Sequence, residues 1–113
     1  MNNALQLSPQ DPNALHGRAN SLFELDRVQE ALVDLNQALQ IDPDDEESYA
    51  LRGHIQKGFG NYQQAIEDYT KALSLDPEPD ADTLRGRADC YRALNMIDAA
   101  NRDDREADMI EDE

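Results

Sequence analysis

Tryptophan is absent from this chain and cysteine occurs once, at Cys90. A single thiol closes no internal disulfide, which excludes a stapled secreted scaffold and makes a reducing, cytoplasmic setting the expectation. Positive charge is scarce as well, with 10 Lys and Arg against 25 Asp and Glu. The resulting formal charge of −15 has the wrong sign for neutralising phosphates, so neither nucleic acid nor an anionic membrane surface is an expected partner. No apolar run comes near the roughly 18 residues that a membrane span requires, and Met1-Asn2-Asn3 lacks the basic start of a secretion signal. Aromatic residues are 5% of the chain. What core there is must be thin and rich in alanine.

What the sequence does contain is a period. Ala65 to Pro77, AIEDYTKALSLDP, overlays Ala31 to Pro43, ALVDLNQALQIDP, at an offset of 34 residues (65 − 31). Ala4, Leu5, Leu7 and Pro9 repeat it once more upstream. A period of this size marks a solenoid whose units cannot bury their apolar faces alone. Residues 1–10 read as the remnant of a preceding second helix, and three units follow over 11–44, 45–79 and 80–113, the third shifted by one residue inserted in Glu78-Pro79-Asp80. Each unit predicts two helices. The first starts behind Asp11 and Pro12 and carries Leu15, Ala19, Leu22 and Leu25; the second carries Val28, Ala31, Leu32, Leu35, Ala38 and Leu39. Small residues recur at Ala19, Gly53 and Ala88 and again at Ala31, Ala65 and Ala100, where two antiparallel helices approach closely. Asp26, Gly60 and Asn95 stand at the turns and are residue types that accept a left-handed backbone.

Charged residues keep the same phase. Arg18, Arg52 and Arg87 are equivalent, as are Asp34, Asp68 and Asp103. An arginine flanked by core positions needs a partner, because an unpaired buried charge is expensive. The pattern predicts Arg18 with Asp34, Arg52 with Asp68 and Arg87 with Asp103, or else each aspartate with the arginine of the next unit. The second helix of unit three places Asn101, Asp104 and Asp108 where its predecessors place apolar residues, which predicts an acidic capping helix.

Other polar residues carry little chemistry. His16 and His54 fall on different helices without the one-turn spacing of a metal pair, and neither Asp44-Asp45-Glu46-Glu47 nor the alternating Asp76, Glu78, Asp80 and Asp82 has the glycine and closing glutamate of a calcium loop. No metal and no cofactor is expected. Ser8, Ser21, Ser48 and Ser74 lie in no nucleophile elbow and no glycine-rich phosphate loop exists, so no enzymatic activity is expected.

The helix spacing, the small-residue positions and the closing Ala and Pro of each unit resemble the tetratricopeptide repeat family over residues 11–112, with Leu15, Tyr49 and Leu84 where the family commonly has Trp and with the third unit's closing Pro missing. The resemblance implies an all-α fold, a right-handed α-solenoid of antiparallel helix pairs, whose first helices line a concave groove that holds a protein or peptide partner. Carried over position by position, the groove comprises Asn13, His16, Asn20 and Phe23, then Glu47, Ala50, His54 and Lys57, then Asp82, Arg85, Asp89 and Arg92. Lys57, Arg85 and Arg92 would meet acidic or polar groups, with Asn20 and Asp89 supplying hydrogen bonds. The family's clamp for acidic heat-shock chaperone tails is not expected: its positions hold His16, Asn20, Leu51, Asp82 and Gly86, of which only Asn20 matches. The expected function is therefore an interaction scaffold or adaptor. The alternative is a structural stretch of a longer solenoid, or self-association through an uncapped N-terminal end.

Overall fold

A computed structural model describes residues 12–111, with side chains from Ala14 onward. The expected remnant helix over 1–10, the cap at Asp11 and the Asn13 side chain lie outside the described residues. Six helices occupy that range: α1 Pro12–Glu24, α2 Val28–Ile41, α3 Glu46–Gly58, α4 Tyr62–Leu75, α5 Ala81–Ala93 and α6 Ile97–Glu111. They form three antiparallel hairpins, α1 with α2, α3 with α4 and α5 with α6, stacked so that each second helix also packs on the first helix of the next hairpin. The stack is an elongated α-solenoid of 49 × 28 × 22 Å.

The three hairpin turns close in one way. Asp26, Gly60 and Asn95 adopt φ of 64°, 82° and 63°. The next amide in each case reaches back five residues, Arg27 to the Leu22 carbonyl at 2.8 Å, Asn61 to Gln56 at 2.9 Å and Met96 to Tyr91 at 2.7 Å. This is the Schellman closure, and it satisfies carbonyls that the end of a helix would leave bare. It also turns the residue before each left-handed position outward. Leu25, expected on the core stripe, is 66% exposed, and its equivalents Phe59 and Leu94 are exposed too.

Starts are more varied. Asp80 caps α5 by accepting from the Asp82 amide at 3.2 Å, whereas Asp45 before α3 accepts from the buried Ser48 hydroxyl at 2.6 Å. Glu46 and Glu47 in the first turn of α3 offset the positive end of the helix dipole.

The core is a chain of small clusters. Ala19, Leu22, Ala31 and Leu35 meet Leu51 and Ile55 of the next hairpin. Ala65, Ile66 and Tyr69 meet Cys90, and Leu84 with Ala81 meets Ala107. Alanines 19, 31, 65, 88 and 100 are all fully buried, so no side chain larger than a methyl separates the paired helices there. Tyr69 is the largest fully buried side chain. Its ring crosses from α4 between two glycines. A Cβ on Gly53 of α3 would stand 3.0 Å from it, and one on Gly86 of α5 only 2.7 Å. Both positions exclude a side chain because the tyrosine occupies that space.

Candidate functional site

The first helices α1, α3 and α5 lie side by side and carry the residues expected in the groove. Two contacts cross between them. His16 Nε2 on α1 lies 3.8 Å from Glu47 Oε1 on α3, and Lys57 Nζ on α3 lies 3.3 Å from Asp89 Oδ2 on α5. Asn20 is exposed, and His16 is half-buried with Nδ1 lacking any hydrogen bond among the described residues. Phe23 is half-buried against the first core cluster rather than standing free. With His54, Val28 and Phe59 it lines a depression of about 250 Å³.

His54 is held by a contact that the repeat pattern did not reveal. Tyr69 places its hydroxyl 2.7 Å from His54 Nδ1, the rings meeting edge to face at 5.2 Å. Burial holds His54 below its usual imidazole range, with Lys57 adding to the effect against Asp82 and Asp80, and burial raises the Tyr69 phenol far above its ordinary value. The phenol and the neutral imidazole share this hydrogen bond, and its direction follows the tautomer of His54.

Arg85 and Arg92, expected to meet acidic or polar groups of a partner, already contact carboxylates of this chain. Arg85 donates to Asp108 at 2.7 Å and to Glu111, with Asp104 at 3.7 Å; Arg92 donates to Asp104 and sits 3.8 Å from Asp89. Both guanidinium groups are turned onto α6 and neutralised there. Lys57 likewise holds Asp89, so all three cations of the groove already have internal carboxylates.

The ladder of arginines runs along the other face. Arg52 grips Asp68 with two bonds, Nε to Oδ2 at 3.1 Å and Nη2 to Oδ1 at 2.9 Å, and Arg87 grips Asp103 with two at 2.8 Å. Arg18 Nε stands 3.0 Å from Asp34 Oδ2, but that oxygen makes no aligned hydrogen bond. Burial pushes the Asp34 carboxyl up, and Arg18 only partly offsets it. In this geometry each arginine meets the aspartate of its own unit. Arg52 and Arg87 also reach the second helix of the unit before, at Asn36 (2.9 Å) and Thr70 (3.1 Å), and lie over the rings of Tyr49 and Tyr91. Asn36 and Thr70 are 34 residues apart, so the period carried a signal for these extra partners.

Other chemistry is quiet. The Cys90 thiol is buried and pushed up to about 11 by that burial, which keeps it out of the thiolate form that nucleophilic chemistry uses. Among the described residues no three His, Cys, Asp or Glu side chains converge on a point that a metal could take. No described helix is long and apolar enough to cross a membrane.

Paired antiparallel helices in phase, closed by repeated left-handed turns and presenting one face of first helices, define a helical-repeat solenoid. Two family models match it: Tetratricopeptide repeat over residues 46–79 and TPR repeat over 19–58. The chain belongs to the tetratricopeptide repeat family, whose members generally mediate protein–protein interaction. Among solved structures it is similar to MamA, with 21% identity, 96% of this chain and 63% of that chain covered, and a TM-score of 0.86. It is also similar to the second TPR of Spaghetti (RPAP3) bound to the HSP90 peptide SRMEEVD, with 19% identity, 92% and 90% covered, and a TM-score of 0.84. The N-terminal domain of stress-induced protein-1 (STI-1) from C. elegans aligns at 14% identity over 93% of this chain and 85% of that one, with a TM-score of 0.75. These likenesses establish the fold alone, and the chain spans under two thirds of the MamA chain. No curated protein matches it in sequence.

Proposed function

We propose that this chain is an adaptor module that holds a segment of a partner protein across the face of α1, α3 and α5. The observation that carries this reading is the His54 side chain, held by the Tyr69 hydroxyl at a depression that Phe23 also lines. Asn20 on α1 is exposed and offers an amide donor. An extended segment has carbonyls for such donors and apolar side chains for such a depression. The RPAP3 domain bound to a peptide shows that a solenoid of this shape can hold one. In this reading the units are 11–44, 45–79 and 80–113, and the charged face of α6 stops a further unit from docking.

The ligand differs from an acidic chaperone tail. Asp82 is exposed at the start of α5, and Lys57, Arg85 and Arg92 each already pair with a carboxylate of this chain, which disfavours a terminal carboxylate there. Fluorescence titration with the peptide SRMEEVD is expected to show no binding at tens of micromolar; micromolar affinity would overturn this part.

The main test uses a library of random 12-residue peptides displayed on phage. Panning on the full chain is expected to enrich sequences that fail to bind Asn20→Arg with Lys57→Glu, a variant of unchanged helicity and oligomeric state. The alternative, self-association or service as a stretch of a longer solenoid, prevails if no sequence is enriched and light scattering shows a concentration-dependent oligomer.

A further inference from the structure

Two depressions open along the edge where the hairpins turn, one between the first and second hairpins and one between the second and third. The first, of about 250 Å³, is walled by Phe23, Val28, Ile55 and Phe59, with Asp26 and His54 as its polar members. The second is wider, about 590 Å³, walled by Tyr62 and Leu94 and ringed by the amides of Gln56, Asn61, Gln63 and Gln64. They occupy one place in the repeat. Asp26 and Gly60, Val28 and Tyr62, and Phe59 and Leu94 are equivalent pairs, offset by 34, 34 and 35 residues.

The hairpin turns create both. Each Schellman closure turns the residue before the left-handed position outward, so Phe59 and Leu94 stand 44% and 37% exposed as outer walls. Of the chain's four tyrosines and two phenylalanines, Tyr62 and both phenylalanines line this edge. Charge is nearly missing from it. In a chain of formal charge −15, Asp26 is the one carboxylate among the lining residues, no Lys or Arg joins it, and burial holds His54 neutral. A surface rich in aromatic rings and poor in charge favours a partner that is uncharged where it touches.

We propose that the turn edge binds an uncharged, proline-rich extended segment of the partner, with apolar side chains at positions i and i+3 seated in the two depressions. The spacing selects this conformation. α1 touches α3 and α3 touches α5, so the depressions are offset by one interaxial distance, roughly 8–10 Å. A polyproline II segment rises about 3.1 Å per residue with three residues per turn, which puts i and i+3 on one face about 9 Å apart. Same-face side chains of a β-strand fall about 7 Å or 14 Å apart. A helix spans the distance only over two turns, and its carbonyls are already bonded. Free carbonyls count here because the second depression offers amide nitrogens. Asn61 Nδ2 donates to Gln56 Oε1 at 2.9 Å and holds that pair in place, while Gln63 and Gln64 are exposed. Such donors suit the unpaired carbonyls of a polyproline II backbone, which is also ordered at low entropic cost.

Phe23 and His54 join the first depression to the face of the first helices, so this inference rests on the adaptor reading and narrows it. Fluorescein-labelled 12-residue peptide pools are titrated against the full chain in about 150 mM salt. Each pool has random Ala, Ser, Thr and Gln flanks around a fixed centre: Leu-Pro-Pro-Leu, Leu-Gly-Gly-Leu without the stiff backbone, Leu-Pro-Leu-Pro with anchors two apart, or Ser-Pro-Pro-Ser without anchors. The Leu-Pro-Pro-Leu pool is expected to bind about tenfold more tightly than the other three. That advantage should vanish in Phe59→Ser with Leu94→Ser and persist in Val33→Ser with Met109→Ser, which removes exposed apolar side chains elsewhere. Circular dichroism checks that both double variants keep their helicity. Equal affinity of the four pools for the native chain overturns the inference, and so does equal loss in both double variants, since the effect would then be general stickiness. Absence of binding by every pool also overturns it, and the adaptor reading falls with it only if phage panning enriches nothing.

Discussion

Helices α4 and α6 hold the same place in successive units, yet their outward faces oppose each other in chemistry. Each supplies an aspartate, Asp68 or Asp103, to the arginine of its own first helix. On the adjoining face, α4 presents Tyr69 and Leu73 and α6 presents Asp104 and Asp108. The face of α4 is covered by α5, and Tyr69 is fully buried between Gly53 and Gly86. The face of α6 keeps its carboxylates at the surface, where they draw Arg85 and Arg92 away from the groove. One frame of alanines and arginine clasps thus accepts two opposite surfaces. The frame holds each hairpin together, and the outward face decides what can pack next to it.

The most disruptive way to break this contrast is to give α4 the chemistry of α6. Tyr69→Asp removes a buried ring and places a carboxylate between two glycines, and is expected to cost about 4 kcal/mol. Urea unfolding followed by circular dichroism measures it, and a loss under about 2 kcal/mol would mean that α3 and α5 collapse around the gap. The shared clasps come next. Asp68→Ala strands Arg52, which is one-fifth exposed, and is expected to cost about 2 kcal/mol. Asp34→Asn should change stability by less than about 0.5 kcal/mol or raise it, because that carboxyl is buried without an aligned partner. Equal losses at the two sites would remove the distinction drawn between them.

The smallest effect is a dependence on pH. Folding lowers the pKa of His54, so its contribution is present above the ordinary imidazole value near 6.5 and is lost as pH falls through the lowered one. Asp34 is raised and works in the opposite sense: its contribution is present at acid pH and is lost as pH rises through that raised value. Melting temperatures at pH 7.5 and 5.5 are expected to fall together more steeply in the native sequence than in His54→Gln, which offers Tyr69 an acceptor that does not titrate. An unchanged slope would mean that His54 does not govern that range.

Much of this architecture is legible in the chain. The offset of 34 places Ala31 over Ala65 and Asp34 over Asp68, and Asp26, Gly60 and Asn95 announce the left-handed turns that the backbone adopts. Periodicity captures these features because they depend on position along a helix. The site was harder to read. Gly53 and Gly86 are not equivalent in the repeat, and nothing in their spacing shows that they bracket one tyrosine from another helix. Arg85 and Arg92 stand at groove positions, but a guanidinium on a long stem goes to the nearest carboxylate, and here those lie on α6.

The sequence by itself therefore determined the period, the helix pairs, the small residues at their crossings and the phase of the arginines and aspartates, all of which follow from local backbone geometry and binary pattern. Only the tertiary structure decided that the Tyr69 hydroxyl holds His54, that the groove cations already meet internal carboxylates, and that four carboxylates and Thr83 line one cavity. Those outcomes turn on which side-chain atoms come within a few ångströms across neighbouring helices, a distance that one-dimensional spacing does not encode.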